Sequence, residues 1–434
     1  MTVDYEPFSA AVRENPYPIY ARLRDQAPVY WAEQAQFWCV SRYADVHAVL
    51  RSAEDFSSDA MRTILAGGRA GEDPTTDPAA MQRLLAFAQA LPFSVQELLV
   101  SRNLISEDPP RHGVLRAIVN RGFTPRRIAA WEPRMRAIVD ECKAKLRAAE
   151  GFDVIHDLAI PLPVRIIAEF LGVEPERRTD FKRWSDTIIS SMTGSGRALD
   201  PVASGLVAAL RELSEYVLGV VADREKAPAD DLISILVAAQ EGEARLSPAE
   251  VVMFVILLLG AGNETTTNLI GNATLALLQH PDQLERLRAD RSLLPGAIEE
   301  VLRWDGPVQV VYRRATRDVV LPSGGFPAGA GVVVIIGSAN RDERQWGATA
   351  AELRVDRNPQ GHLAFGFGNH FCLGASLARL EARVALEALL DVLPSLRCRE
   401  PRVDYVDSYL VRGPRHLPLL RAQSSGGSCA NLAG

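Results

Sequence analysis

Residues 365–374 read Phe-Gly-Phe-Gly-Asn-His-Phe-Cys-Leu-Gly, a glycine-rich stretch with one cysteine. Its three glycines allow the backbone to approach a flat ligand closely. Cys372 stands just before an amphipathic segment that predicts a helix from about Leu373 to Leu393. A thiolate at a helix N-terminus has its pKa lowered by free amide N–H groups and is a good soft metal ligand. The stretch therefore predicts a metal-binding thiolate, whereas a lone glycine pair would indicate only a turn before a packing helix.

The order of these residues closely resembles the haem-binding signature of the cytochrome P-450 family, F-G-x-G-x-H-x-C-x-G. The resemblance implies haem b, iron protoporphyrin IX, as the cofactor and Cys372 as the ligand of its metal. On haem iron a cysteine thiolate favours cleavage of the O–O bond. The loop residues that the resemblance assigns to cofactor binding are Phe365, Gly366, His370, Cys372 and Gly374.

A second motif, Ala-Gly-Asn-Glu-Thr-Thr at residues 261–266, resembles the family's [AG]-G-x-[DE]-T. It follows a predicted helix start at residues 247–250, Ser-Pro-Ala-Glu, which has the capping-box residues and a proline at the first helical position. Glu264 and Thr265 are the candidate catalytic residues, because a carboxylate beside a hydroxyl can relay protons into a dry site. Ala261 lies one turn earlier on the face of Thr265, where it can contact the cofactor. Taken alone, the segment would more simply be a polar patch on a core helix.

A third motif, Asp-Pro-Pro-Arg-His-Gly-Val-Leu-Arg at residues 108–116, resembles the family's D-P-P-x-H-x-x-x-R. His112 and Arg116 are four residues apart and share a helical face. Haem carries two propionates, which need cationic or hydrogen-bonding partners when buried. By resemblance those partners are His112, Arg116, Arg313 and His370; for each, a surface cation is the alternative.

Glu300 and Arg303 match the family's ExxR pair, which orders the core behind the cysteine loop. The pattern is weak by itself, because Glu174–Arg177 and Glu285–Arg288 have the same spacing. Position favours Glu300 and Arg303, since the cysteine loop follows some 70 residues later. An exposed ion pair, worth little, is the alternative.

Length and composition describe an ordinary globular chain of 434 residues, 47% hydrophobic and 24% charged. Helical periodicity dominates residues 110–300, with strand patterns near both ends, so an alternating βαβ fold is a poor fit. The resemblance spans about Pro16 to Leu420. It implies a mainly α cytochrome P-450 fold, an α-rich prism with a small β subdomain, as a single domain over residues 1–422. The low-complexity tail at 423–434 is predicted to be disordered.

Charge and hydropathy exclude several classes of protein. A net charge of −6 argues against a nucleic-acid binder. The first residues lack the apolar core of a signal peptide, and the longest apolar run, Val251 to Gly262, is too short to span a bilayer. The five cysteines form no CxxC pair, so a disulfide framework or zinc site is not indicated. We therefore expect a cytoplasmic protein with no membrane span.

The resemblance implies mono-oxygenation, in which one atom of O2 enters the substrate and the other leaves as water. Electrons are expected from a separate ferredoxin or flavodoxin with an NAD(P)H-dependent reductase, because the chain is too short for a fused one. Six arginines near the cysteine form either a docking face for that partner or simply a solvated surface: Arg111, Arg121, Arg126, Arg127, Arg379 and Arg383.

Alignment of the motifs also predicts a substrate pocket above the haem. Its residues are almost all apolar, as in most ligand pockets, and are Leu257, Ala261, Val308, Val310 and Leu410. Segments 81–99 and 188–206 are predicted to form a mobile lid. The expected substrate is lipophilic, such as a terpenoid, steroid or polyketide. Two alternatives stay open: a peroxide-driven peroxygenase, in which the Glu264–Thr265 pair would be replaced, and a non-catalytic haem carrier or sensor.

Overall fold

The computed structural model describes residues 3–60, 78, 82, 91–93, 103–148, 151–193, 205–241, 244–400 and 402–421. Most of them are helical, which confirms the mainly α prediction. In chain order the helices are α1 (Ala10–Glu14), α2 (Tyr17–Gln26), α3 (Tyr43–Arg51), α4 (Arg111–Asn120), α5 (Pro125–Ala130), α6 (Glu132–Ala148), α7 (Pro161–Phe170), α8 (Arg178–Thr193), α9 (Leu206–Lys226), α10 (Leu232–Ala238), α11 (Pro248–Gln279), α12 (Pro281–Ala289), α13 (Leu294–Asp305), α14 (Ile336–Ala339), α15 (Glu343–Trp346) and α16 (Ala375–Leu389).

The described strands form a five-stranded sheet, a three-stranded sheet and two two-stranded hairpins. They are β1 (Val29–Ala32), β2 (Phe37–Val40), β3 (Phe56–Ser57), β4 (Gly151–Asp153), β5 (Gln240–Glu241), β6 (Ala244–Arg245), β7 (Val310–Ala315), β8 (Val319–Leu321), β9 (Gly324–Phe326), β10 (Gly331–Ile335), β11 (Leu396–Cys398) and β12 (Pro418–Arg421). The five-stranded sheet has the order β1-β2-β10-β7-β3, antiparallel except where β2 meets β10. The three-stranded sheet has the order β11-β12-β4 and is antiparallel.

Helix α11 begins with the predicted capping box. The Glu250 amide donates to the Ser247 hydroxyl at 3.2 Å, and the Ser247 amide donates to the Glu250 carboxylate at 2.9 Å. The helix runs for 32 residues. It is much longer than the apolar run Val251 to Gly262, from which we predicted that no segment spans a membrane, because Thr, Asn and Gly residues continue the helix beyond that run. By length and composition alone it could cross a membrane, but 61% of its most apolar window is buried inside the protein. A core helix passes the same test, and α11 packs as one.

The five-stranded sheet buries both of its faces. On one face Val310, Tyr312, Val333 and Ile335 pack against Tyr5, Tyr20 and Phe37. On the other face Val332 and Val334, with Val40 of the neighbouring strand β2, pack against Val46 and Leu50 of α3. The helices share a separate and larger core, which contains α11 and the inner face of α16. The functional loop at residues 365–374 connects the sheet region to α16.

Several element boundaries differ from the prediction for physical reasons. The periodicity of the sequence predicts a helix from Asp230 to Gln240, but α10 ends at Ala238, since Gln240 pairs with Arg245 in the β5–β6 hairpin. The last helix ends at Leu389, and a short 3-10 turn at Leu393–Ser395 contains Pro394. The predicted tail at 423–434 lies outside the described residues, as does most of the predicted lid, of which the structure describes 82, 91–93, 188–193 and 205–206.

Candidate active site

The cysteine loop holds its shape through glycines and main-chain hydrogen bonds. Gly366 and Gly368 have φ of 71° and 70°, in the left-handed region that favours glycine. The Cys372 amide donates to the Phe365 carbonyl at 2.9 Å, which closes the loop on itself. A Cβ on Gly368 would lie 3.0 Å from the Leu50 carbonyl oxygen. The loop therefore needs glycine for its backbone conformation and for its close approach to α3.

Cys372 stands before α16, as predicted, but the pKa of its thiol is not lowered in the protein chain. Burial raises the pKa, and the Gly374 N–H, Arg116 and Arg379 oppose that rise without overcoming it. The helix N-terminus thus stabilises the Cys372 thiolate as expected, but by less than burial destabilises it. Cys372 nevertheless has solvent-accessible surface. A thiol that lines a narrow cleft is both desolvated and accessible to solvent, and a metal ion bound there would deprotonate it.

Two segments from distant parts of the chain, α4 and β7, meet beside this loop, and together with it they bring four basic side chains close to one another. His112 and Arg116 lie on α4, Arg313 on β7 and His370 in the cysteine loop. The His112 and His370 rings are 4.2 Å apart. Burial lowers the pKa of His370 to about 3, assisted by the positive charges of Arg313, His112 and Arg116. Burial also lowers the pKa of Arg313 to about 10, which nearby Asp108 partly opposes.

This basic cluster fits a ligand that carries negative charge. The buried Nε2 of His112 has no hydrogen-bond partner among the described residues. The neighbouring anion, Asp108, is engaged elsewhere: it accepts from the Ser58 amide at 2.9 Å and from the Ser57 hydroxyl. A buried polar atom without a partner is costly, as is the burial of the Arg313 guanidinium, whose pKa stays lowered although Asp108 is near. The two propionates of haem would supply both the missing acceptor and the missing charge.

Helix α11 has an accessible stretch in its middle. Ala261 is exposed and Leu257 and Thr265 are partly exposed, whereas Leu259 and Asn263 between them are buried. Exposure in the middle of a core helix indicates an open space against part of the helix. Other residues of this stretch are partly exposed as well, so the burial pattern does not single out the predicted face; they are Leu258, Gly260, Gly262 and Glu264.

The two candidate catalytic residues differ in their surroundings. The Thr265 hydroxyl donates to the Ala261 carbonyl at 2.7 Å, so the side chain is held against its own helix. Burial raises the pKa of Glu264 to about 7. A carboxyl with that pKa can both take up and release a proton near neutral pH.

Glu300 and Arg303 form a fully buried ion pair on α13. Two hydrogen bonds of 2.7 and 2.8 Å join the guanidinium to the carboxylate, and both side chains are 0% exposed. Arg303 also donates to the Asn340 and Ala350 carbonyls at 2.9 and 2.7 Å. The Asn340 side chain in turn accepts from the Leu363 amide at 2.7 Å, two residues before the cysteine loop. The pair therefore supports the loop through Asn340, as the resemblance implied.

Some supporting residues were missed by the sequence analysis. The Ser58 hydroxyl and His370 Nε2 are 2.9 Å apart, and Asn340 holds the start of the loop. Glu299 binds Arg379 through two hydrogen bonds of 2.7 Å. Burial raises the pKa of Glu299, but hydrogen bonds from Arg379 and His362 outweigh it and hold that pKa at about 2. These partners are far apart in sequence, so no local pattern marks them.

Glu381 was also missed, and here a sequence pattern exists. It lies on the buried face of α16 beside Leu377, Leu380 and Val384. A charged residue at an apolar position of an amphipathic helix is unusual. Burial raises the pKa of Glu381 to about 8, and a hydrogen bond with Thr266 of α11 lowers it only in part.

One predicted pocket residue has to be corrected. Val310 is 1% exposed and packs in the tyrosine-rich core on the other side of the sheet. Side chains alternate along a strand, so Val310 lies on the face of β7 opposite to Arg313. Val311 shares the face of Arg313 and is partly exposed. Val308 and Leu410, the remaining pocket candidates, are partly exposed.

The predicted docking arginines are mostly paired with acids. Arg379 and Arg383 bind Glu299 and Glu132, each at 2.7 Å. The other pairs are Arg111 with Glu250, Arg121 with Glu241 and Arg127 with Asp230. Arg126 is exposed, and no ion pair involves it within the described parts of the chain. The surface therefore carries less free positive charge than the count of arginines indicates.

Comparison with known proteins agrees with this architecture. The cytochrome P450 family model matches residues 93–393. The cytochrome P450 monooxygenase PikC of Streptomyces venezuelae is 37% identical over 414 residues, 93% of this chain and 91% of that protein. Cytochrome P450 CYP109Q5 from Chondromyces apiculatus has a TM-score of 0.82 at 38% identity, covering 98% of this chain and 100% of its own. CYP109E1 from Bacillus megaterium, solved with corticosterone, has a TM-score of 0.80 at 36% identity, covering 95% and 99%.

An α-rich fold with a cysteine loop in front of a core helix defines a haem-thiolate class of protein. This chain belongs to the cytochrome P450 family. Members of that family bind haem b through a thiolate-ligated iron and act as mono-oxygenases, and the chain is accordingly a haem-dependent oxidoreductase.

Proposed function

We propose that Cys372 ligates the haem iron and that the enzyme inserts one atom of O2 into a lipophilic substrate. The observation that carries the proposal is the arrangement around Cys372: its loop lies beside the basic cluster, and the helix that follows the loop contacts α11 through Glu381 and Thr266. Haem supplies O2 activation, which a thiolate ligand promotes. His112, Arg116, Arg313 and His370 hold the propionates. Residues 1–422 act as a single domain in this proposal.

Glu264 and Thr265 deliver protons to the face of α11 that lines the cleft. The pKa of Glu264, raised to about 7 by burial, lets this carboxyl exchange protons with solvent at neutral pH. Thr265 keeps its hydroxyl at the cleft through the hydrogen bond to Ala261, and its oxygen is free to accept a second one. Ala261 leaves room beside that hydroxyl because its side chain is a single methyl group.

The substrate pocket is apolar, which favours a lipophilic substrate. Leu257, Val308 and Leu410 are partly exposed apolar side chains, and Val311 takes the place first given to Val310. The related CYP109E1 has been solved with the steroid corticosterone. A steroid, terpenoid or polyketide of similar size is the class of substrate that we propose.

Electrons come from a separate ferredoxin or flavodoxin, with its NAD(P)H-dependent reductase, in the cytoplasm. Most arginines near the cysteine loop are paired with acids, so the partner docks by exchanging these pairs rather than onto free cations. Exposed Arg126 is the exception, and it supplies an uncompensated charge for an acidic partner.

Turnover assays distinguish this function from its alternatives. A panel of lipophilic compounds is first screened for a haem spin-state shift. Compounds that bind are then incubated with NADPH and a surrogate ferredoxin and reductase, or with peroxide alone. We expect product mainly from the NADPH system. Product from peroxide alone would make the enzyme a peroxygenase, and tight binding without product in either arm would make it a haem carrier.

A further inference from the structure

Two histidines and an aspartate form a cluster remote in sequence from every motif described above. Asp153 ends β4, His156 lies in the π-helical turn Ile155–Ala159, and His416 comes two residues before β12. Strands β4 and β12 pair with Asp153 opposite Pro418, which brings His416 next to the turn. The sheet register thus joins segments that are 260 residues apart.

The potential donor atoms of these side chains converge. His156 Nε2 and His416 Nδ1 are 3.0 Å apart, and His416 Nδ1 lies 3.4 Å from Asp153 Oδ2. The two imidazole rings stack, with centroids 4.7 Å apart. All three donor atoms lie within 4.8 Å of one another. Two ligands about 2.1 Å from a tetrahedral zinc ion are themselves about 3.4 Å apart, so these spacings need only small side-chain rotations to hold an ion.

The aspartate is fixed in a position that suits a ligand. Its Oδ1 accepts from the amides of Ile155 at 2.9 Å, His156 at 3.4 Å and Leu417 at 3.1 Å. These bonds occupy one carboxylate oxygen and leave Oδ2 directed at His416. Both histidines are exposed, so an ion can enter from solvent without opening the fold.

We propose that Asp153, His156 and His416 bind a divalent transition metal ion, with zinc as the best fit. Imidazole nitrogen and carboxylate oxygen are ordinary zinc ligands, and water would complete the coordination. The bound ion ties the π-helical turn to the C-terminal strand. It also fixes the base of the segment that includes Leu410, which bridges back on itself between Tyr405 and Pro414. The site is separate from the haem cleft and stands independently of the proposed reaction.

The test titrates Zn²⁺ into the haem-loaded enzyme, previously treated with a chelator, by isothermal calorimetry at pH 7.5. Haem occupies the cleft with Cys372, so added metal is directed elsewhere. We expect one equivalent to bind. His156→Ala and His416→Ala should each weaken binding by at least about tenfold, since even outer-shell partners of a metal site contribute about 10–100-fold. His280→Asn is the matched control, because His280 is also partly accessible but lies outside the cluster.

A second readout guards against variants that merely misfold. Each variant must keep the parent's haem spectrum, and Zn²⁺ should raise the melting temperature of the parent and of His280→Asn but not of the cluster variants. Equal Zn²⁺ affinity in the parent and both cluster variants would place the ion elsewhere. Absence of binding by Zn²⁺, Co²⁺ and Ni²⁺ to the parent would overturn the site, leaving a hydrogen-bonded histidine pair.

Discussion

Arg303 donates two hydrogen bonds, of 2.7 and 2.8 Å, to Glu300 in a pair that is completely shielded from solvent. The same carboxylate accepts from the Arg357 side chain and the Arg354 amide, each at 3.0 Å. The Glu300 carboxylate therefore accepts four hydrogen bonds, from Arg303, Arg354 and Arg357. A buried charge in such a network is stable only while its partners remain.

Removing the charge of Glu300 should destabilise the protein severely. Glu300→Gln leaves Arg303 buried without its counter-charge, which costs about 3–5 kcal/mol in the free energy of unfolding. Haem retention should fall with it, since Arg303 reaches the cysteine loop through Asn340. Urea denaturation and gel filtration of the haem-loaded protein measure the two effects.

The chain offers a matched control with the same sequence spacing. Glu285 and Arg288 also form an i,i+3 pair, at 2.6 Å, but on the surface of α12. Glu285→Gln should change the free energy of unfolding by no more than about 1 kcal/mol. Equal losses of unfolding free energy in Glu300→Gln and Glu285→Gln would mean that burial does not decide how much each ion pair contributes to stability.

The assignment of the iron ligand can be tested by spectroscopy. Cys372→His should lose the red-shifted Soret band that thiolate ligation gives to the reduced carbonyl complex, because imidazole replaces the thiolate. Alanine variants of the other four cysteines, at 39, 142, 398 and 429, should keep that band. An unchanged band in Cys372→His would refute the assignment.

Thr265→Ala should uncouple electron use from product formation. The variant loses the hydroxyl held against Ala261, while haem content and substrate binding stay near normal. Electrons are still consumed, but more should end as peroxide, with a loss of product of up to about 10²–10⁴-fold. The measurement is product formed per NADPH consumed. Thr265→Ser keeps the hydroxyl and should stay coupled; tight coupling in Thr265→Ala would move proton delivery to substrate hydroxyls or water.

Glu264→Gln should slow turnover and change its solvent isotope effect. With the pKa of Glu264 near 7, the parent's carboxyl is protonated below neutral pH and ionised above it. Its product rate should therefore fall as pH rises through about 7, and the variant should lack that dependence. Identical pH profiles for parent and variant would exclude Glu264 as the proton source.

Local patterns in the sequence predict that residues 110–300 are mainly helical and that a helix follows the cysteine loop. They also predict a helix from Tyr43 to Arg51, because the apolar residues there repeat with a 3.6-residue period, and α3 has these bounds. The loop was predictable because glycines must occupy the positions with positive φ.

Features that depend on distant partners could not be predicted. Val310 was misassigned because Val308, Val310 and Val311 are all apolar, so only pairing with β10 reveals which side chains share a face. The ion pairs of Arg121 and Arg127 could not be predicted because their acids, Glu241 and Asp230, lie more than 100 residues away in sequence. The metal cluster depends likewise on the pairing of β4 with β12.

Glu381 makes the stability of the enzyme depend on pH. Burial raises its pKa from 4.5 to about 8, whereas in the unfolded chain the carboxyl ionises near its ordinary value. Between these two values the folded protein binds more protons than the unfolded one, so stability falls as pH rises. The loss begins near pH 4.5 and is complete above about pH 8. A shift of this size corresponds to on the order of 5 kcal/mol.

Glu381→Gln should remove that part of the pH dependence. The amide has nearly the same shape, can still hydrogen-bond Thr266 and does not ionise, so the variant should be a few kcal/mol more stable than the parent at pH 8. At pH 5 the two should be nearly equal. Urea unfolding of both haem-loaded proteins at several pH values gives the slope of the unfolding free energy against pH for each. Glu264 contributes to both slopes with the same sign, so its contribution cancels in their difference.

The control is Glu387→Gln, because Glu387 lies on the same helix but is ion-paired with Arg136 and Arg383; this variant should leave the slope unchanged. Parallel slopes for parent and Glu381→Gln would mean that the carboxyl ionises inside the fold, with water reaching the contact between α11 and α16.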